Sequence, residues 1–255
     1  MTIPLPKEAR HQAILDVLSR EGHVHAAELV ARLSVSDDTV RRDLAELADA
    51  GRLMRVHGGA LPASPASVPF RDRERQAPGA KQAIARAAAA LVRDGQAVFF
   101  DGGTTARLVA ECLPAERRVT VITHSTTVAE SLAEHPGVEL VLIGGTVRKA
   151  ARVAVGARAV DAVRAIRADL YLLGVCALHA EAGLSTDDYE EAAVKRAMID
   201  SAAEVAALVS SEKLGTADRY TFAPATELTH LVTERDAPDD LVAPFARLGV
   251  SVVRA

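Results

Sequence analysis

Apolar positions in the first sixty residues recur at helical spacing and then switch to alternation. Ile14, Leu15 and Leu18 mark one face of an amphipathic helix over about residues 7–20. Leu29, Val30 and Leu33 mark a second over about 26–33, which Ser34-Val35 breaks. Ser36 is placed to cap a third helix, because its hydroxyl can accept an orphan backbone N–H. Asp37 and Asp38 in its first turn complement the helix dipole. Val40, Leu44 and Leu47 form its buried face, which leaves Thr39, Arg41 and Arg42 pointing elsewhere. Gly51 suits the position just past the helix end. Residues 52–57 then alternate basic and apolar as a strand does, and Gly58-Gly59 turns it.

From Ala80 the pattern becomes a series of alternating units. Short apolar runs at 97–100, 119–123, 138–143, 169–175, 204–209, 229–233 and 250–253 predict strands. Helical periodicity lies between them, over about 80–92, 105–112, 127–134, 157–166 and 190–203, with a last helix before 250. Strands alternating with helices predict an α/β domain with a largely parallel sheet. Between the two patterns, LPASPASVP at 61–69 has the composition of a linker, and the mixed charges of 71–75 suit a solvated helix surface. The expected organisation is therefore 1–61, a linker over 62–79, and an α/β domain over 80–255.

Two helices joined by a tight turn and followed by a basic hairpin make the layout of a winged helix-turn-helix. In that reading Ser36, Thr39, Arg41, Arg42, Arg52, Arg55 and His57 lie near phosphates or base edges of an operator duplex. The alternative is a small helical domain with solvated arginines. Charge changes the picture. The chain carries a net −4, and residues 1–60 hold eight Lys+Arg against nine Asp+Glu. No global basic field draws it to nucleic acid, so the acids must turn away from the duplex and affinity must rest on paired copies. A homo-oligomer, dimer or tetramer, is expected.

Composition excludes several classes. The two cysteines, Cys112 and Cys176, form no disulfide framework and no four-cysteine zinc site. The eight histidines are scattered in sequence, so neither a metal nor a cofactor is expected. Residues 3–6 are too short and broken for a signal peptide, and no run is apolar enough to span a bilayer, so a cytoplasmic protein is expected. Aromatics are 3% with no tryptophan, which argues against a stacking platform for single strands.

Candidate ligand chemistry sits at the predicted strand ends, where open α/β sheets bind small molecules. Asp101-Gly102-Gly103-Thr104-Thr105 joins a strand end to a helix start. Glycines let backbone approach an anion, and helix N–H groups and threonine hydroxyls donate to it. It is neither a Walker A loop nor G-x-G-x-x-G; an ordinary turn is the alternative. Thr123-His124-Ser125 and Gly144-Gly145 end the next two strands. Glu191 and Lys195 share a helix face and read equally as a surface salt bridge. Lys213 follows a strand and either neutralises a phosphate or is solvated.

These residues resemble the DeoR family of bacterial transcriptional regulators. The resemblance rests on VSDDTVRRDLAELADAGRLMRVHGGA, FFDGGTTARLVAECL, VTVITHS, LVLIGGTVR, AVGARAV, GLSTDDYEEAAVKRAMI and SSEKLG in family order. It implies a regulator, most often a repressor, whose second domain is related in fold to ribose phosphate isomerase and binds a phosphorylated sugar or related metabolite. By match, the effector pocket would use Asp101, Gly102, Gly103, Thr104, Thr105, Thr123, His124, Gly145, Glu191, Lys195 and Lys213. Two positions depart from the family pattern: His124 stands for an asparagine and Ser210 for an aspartate. Two other readings stay open. An aldose–ketose isomerase of the same fold would need a carboxylate base, with Asp101 and Glu191 as candidates. A constitutive DNA-binding protein with a degenerate pocket would suit the two departures.

Overall fold

The computed structural model describes residues 5–255, so the first half of the 3–6 stretch lies outside the described residues. The N-terminal unit contains α1 (Lys7–Glu21), β1 (Val24–His25), α2 (Ala26–Leu33), α3 (Asp37–Asp49), β2 (Met54–Val56) and β3 (Gly59–Leu61). Ile14, Leu18, Leu29, Val40, Leu44 and Leu47 make its core, as their spacing requires. Ser36 caps α3, accepting from Thr39 N–H. The wing is a three-stranded antiparallel sheet in the order β1-β3-β2. β1 leaves no mark in the pattern because two residues cannot display an alternation. Leu53, fully buried, ties the wing to the helices.

The Pro/Ser/Ala-rich stretch is docked rather than free. Ala63 bridges Ala217, Ser67 Oγ donates to Asp218 Oδ2 at 2.6 Å, and Phe70 is buried under the Arg152 guanidinium. Residues Phe70–Glu74 form a short helix, α4, within the run expected as solvated surface. Arg71, Asp72 and Arg75 do face solvent, whereas Arg73 turns inward.

The remainder is the α/β domain. Its central sheet comprises β4 (Ala97–Phe100), β5 (Val119–Thr123), β6 (Val138–Leu142), β9 (Ala168–Gly174), β12 (Ala202–Leu208), β14 (His230–Thr233) and β15 (Ser251–Arg254). Seven strands run in the order β15-β14-β12-β9-β4-β5-β6, every pairing parallel. Helices α5 (Pro78–Leu91), α6 (Thr104–Cys112), α7 (Thr126–Leu132), α8 (Ala157–Arg164), α9 (Tyr189–Asp200) and α10 (Asp239–Arg247) flank it. Two apolar clusters hold the layers, one around Tyr171, Leu173 and Met198, the other around Val98, Phe100 and Val121.

The pattern does not announce a hairpin of β7 (Thr146–Arg148) and β8 (Val153–Val155), nor a small sheet of β10 (Ala177–His179), β11 (Gly183–Thr186) and β13 (Tyr220–Ala223). Their strands have three or four residues, and β8 and β11 are buried on both faces, so they lack alternation. The strand order reverses beside β4: β5 and β6 extend one way, β9 and β12 the other. That reversal is a topological switch point, where parallel sheets open a crevice at the strand carboxyl ends.

Candidate functional site

The switch point is where the ligand chemistry collects. Asp101 follows β4 and Gly174 ends β9, and the two loops nearly touch. A Cβ on Gly174 would lie 2.6 Å from Gly102 O, and one on Gly102 would lie 2.1 Å from a Val153 methyl carbon. Only glycine permits this approach. A cavity beside it is lined by Gly102, Gly103, Thr104, Thr105, Gly174, Cys176, Glu191, Lys195 and Lys213, with Arg73 from α4 closing one side.

Asp101 is wholly buried and supports the cavity from beneath. Its Oδ2 accepts from Gly174 N–H at 2.8 Å and pairs with Lys195 Nζ; its Oδ1 accepts from Gly102 N–H at 2.7 Å and faces His124 Nε2 at 3.0 Å. Burial pushes the carboxyl upward, but the Lys195 charge and the His124 hydrogen bond hold it at about 2. Burial likewise pulls Lys195 down, and the Asp101 and Glu191 charges raise it above the ordinary lysine value. Glu191 completes the network, 3.5 Å from Lys195 and 2.7 Å from Arg148, which also pairs with Asp187 and Asp188. The Glu191–Lys195 pair is therefore buried, not a surface bridge.

Lys213 differs. It is 7% exposed and makes no ion pair among the described residues. Burial first, with Arg73 and Lys195 adding repulsion, pushes its ammonium below the usual range. Lys81, 1% exposed, is pushed down to about 8 by burial and by Lys213. Ser210, where the resemblance expects an aspartate, gives its hydroxyl to Glu212 Oε1. The cavity thus holds positive charge that its own carboxylates, already committed, do not balance.

Four expected pocket residues do not line this cavity. Asp101 and His124 lie beneath it, with His124 Nδ1 2.8 Å from Ala154 O. Thr123 is buried and its hydroxyl accepts from Ser125 N–H. Gly145 sits apart, against Val155 and Ala159. Two contributors were missed: Arg73, hidden in a run that reads as solvated, and Arg148, which the quoted LVLIGGTVR segment contained without marking.

In the N-terminal unit, Arg41, Arg55 and His57 line one groove between α3 and the wing, with Asp37 at its edge. Arg41 Nε lies 2.6 Å from Asp37. Arg42 and Arg52 are also exposed, whereas the Ser36 and Thr39 hydroxyls bond each other at 2.9 Å. Several acids do turn away. Asp43 is buried in a bidentate pair with Arg10 at 2.7 and 2.8 Å, Glu46 pairs with Lys7, and Glu21 with Arg32. The histidines are less scattered in space than in sequence: His23, His25, His57 and His179 border one cleft between the wing and the α/β domain. Among the described residues no group of three or more metal-ligating side chains is arranged to hold an ion. No helix among them is long and apolar enough to cross a membrane.

An exposed helix-and-wing groove and a cationic cavity at a sheet switch point define a ligand-sensing DNA-binding regulator. Comparison with known proteins makes this specific. Residues 10–66 match the DeoR-like helix-turn-helix domain and residues 76–235 match the DeoR C terminal sensor domain. The chain belongs to the DeoR family of DNA-binding transcriptional regulators. It is 34% identical to the glycerol-3-phosphate regulon repressor of Escherichia coli over 81% of this chain and 82% of that one. It is equally 34% identical to the transcriptional regulator GlpR of Haloferax volcanii, over 98% of both chains. The transcriptional repressor GlcR of Bacillus subtilis is 34% identical over 90% and 89%. Among solved structures, ribose 5-phosphate isomerase A of Methanocaldococcus jannaschii covers 52% of each chain at 18% identity and a TM-score of 0.39, too distant to bear on activity.

Proposed function

We propose that the chain is a repressor whose operator binding is controlled by a phosphorylated sugar or polyol held at the switch-point cavity. The observation that carries this is Lys213, a buried cation facing the cavity with no carboxylate to neutralise it. Burying an unpaired charge is costly, and a phosphate dianion there would relieve it. The Gly102-Gly103 turn and the start of α6 add backbone donors, and Thr104 and Thr105 add hydroxyls. The name of the E. coli relative, a glycerol-3-phosphate regulon repressor, supports a small phosphomonoester.

Arg41, Arg55 and His57 would meet one duplex from helix and wing, while Arg42 and Arg52 would meet phosphates beside it. The division of labour follows 1–61 for DNA and 80–255 for effector and self-association as a homo-oligomer. We read the chain as non-enzymatic, because Glu191 is held by Arg148 and Lys195 rather than free to take a proton from a sugar carbon.

The test is a thermal-shift panel of phosphorylated sugars and polyols, glycerol 3-phosphate included, beside their unphosphorylated parents. Stabilisation by at least one phosphorylated compound, with release of an operator selected from randomised duplexes, is expected. No response across the panel overturns the effector reading and favours a degenerate pocket. Isomer formation from any phosphorylated sugar overturns the non-enzymatic reading.

A further inference from the structure

Arg73 belongs to the segment joining the wing to the sheet, yet its side chain lines the switch-point cavity. Its Nε is buried and has no hydrogen-bond partner among the described residues. A buried donor left unsatisfied costs about 1–3 kcal/mol, and such groups are rare unless a ligand supplies the partner. The missing partner should be anionic. Arg73 adds to the repulsion on both Lys213 and Lys81. The nearby carboxylates are taken: Asp101 by Lys195, Glu191 by Arg148 and Lys195, and Glu74 lies 3.5 Å from Arg107. A guanidinium fork matches phosphate oxygens bidentately, which a neighbouring lysine cannot do.

The segment carrying Arg73 is also fastened to the cavity wall. Phe70 N–H donates to Ala150 O at 2.9 Å, next to Ala151 on that wall. Ser64 Oγ donates to the carbonyl of Cys176, another wall residue, at 2.5 Å. Lys81 Nζ donates to the carbonyl of Arg73 itself. Upstream, the chain leads directly from Leu61, the last residue of the wing.

We propose that Arg73 is an effector contact: its guanidinium grips the ligand phosphate, so that occupancy of the cavity resets the segment from 62 to 77 that carries the winged helix. This rests on the phosphorylated-effector reading and adds a residue and a route to it. A ligand shifts a conformational equilibrium only through contacts that differ between the two states. A contact made by the connector itself satisfies that condition without a long relay through the sheet.

The experiment uses the full chain as wild type, Arg73→Gln and Arg73→Lys. Calorimetry measures binding of orthophosphate and of whichever phosphorylated compound stabilises the wild type. Operator affinity and hydrogen exchange of residues 62–77 are measured with and without that ligand. Arg73→Gln is expected to weaken phosphorylated-ligand binding by about 10–100-fold, the usual worth of a charge-assisted hydrogen bond. Ligand-free operator affinity should hold, and Arg73→Lys should recover part of the loss. Ligand-induced protection of 62–77 should appear in the wild type and vanish in Arg73→Gln. Ligand affinity unchanged in Arg73→Gln overturns the proposal, whatever happens to operator release. Equal loss in Gln and Lys variants with a lowered ligand-free Tm marks a structural role and also overturns it. If the wild type binds no phosphorylated compound, the effector reading itself has failed, and this proposal falls with it.

Discussion

Lys195 and Asp101, 94 residues apart in sequence, form an ion pair at the mouth of β4 with side-chain exposures of 2% and 0%. The pair joins α9 to the switch point and holds the Gly102 and Gly174 amides in place through the same carboxylate. Removing one member leaves the other charged and buried. Asp101→Asn should therefore destabilise the fold by about 3–5 kcal/mol. The double change Asp101→Asn with Lys195→Met should cost less than the sum of the single changes. Urea midpoints of the three variants check this; an unchanged midpoint for Asp101→Asn would contradict it.

Lys213 is the cleaner probe of ligand response, because no carboxylate depends on it. Lys213→Ala should keep its ligand-free Tm within a few degrees and its operator affinity intact, while phosphorylated compounds no longer release DNA. Anisotropy titrations with and without ligand read both quantities. Loss of operator binding would show that the substitution disturbs more than the cavity.

Effector affinity should fall as pH rises through about 8. Lys81 sits at about 8 and Lys213 is also depressed, in each case because burial disfavours the charged form. A bound dianion favours those charges, so binding takes up protons, and raising the pH removes the cations it needs. A phosphomonoester's own second ionisation lies near pH 6, roughly complete by pH 7. Any loss between pH 7 and 9 is thus assigned to the protein. Calorimetry at three pH values in buffers of different ionisation enthalpy checks both the slope and the proton uptake; affinity constant to pH 9 would contradict it.

On the DNA side, Arg42→Ala and Arg55→Ala should each cost about 1–3 kcal/mol where the side chain reads a base. If it touches only phosphate, the loss should be uniform across sequences and the salt slope should fall by about 1. Lys7→Ala, whose side chain is paired with Glu46 in the helical core's outer layer, should leave operator affinity unchanged. Gel-shift titrations at two salt concentrations separate these outcomes.

The wing offers a stability test. A Cβ on Gly59 would lie 1.9 Å from the Val24 carbonyl, which is backbone and cannot swing aside. Gly59→Ala should part β1 from β3 and weaken operator binding while the effector-induced thermal shift of the α/β domain persists. Operator binding at the wild-type level would show that the wing is dispensable.

Much of this was legible locally. The spacing of Val40, Leu44 and Leu47, the Ser36 cap and the alternating wing strand state their structure within a few residues, since helix and strand periodicity depend on near neighbours. The loop at 101–105 announced itself for the same reason. The connector did not. Its composition reads as a tether, because nothing within it reveals that Phe70 will find a pocket beneath Arg152 or that Arg73 will reach the sheet. Thr123 and Gly145 end strands as the cavity residues do, yet they lie outside the cavity lining, since a strand end belongs to the crevice only if its neighbours leave it open.

The sequence by itself determined the elements, the parallel character of the sheet and the identity of the groups able to meet DNA and an anion. Tertiary structure alone decided which of them act together. Strand order placed the reversal at β4 and β9, so Asp101 became a buried support rather than a ligand contact. It also buried Lys213 without a partner, and it turned a connector arginine into the cavity wall. The reason is physical: periodicity is a property of residues three or four apart, whereas burial and charge balance depend on groups tens of residues apart that only the packed chain brings within a few ångströms.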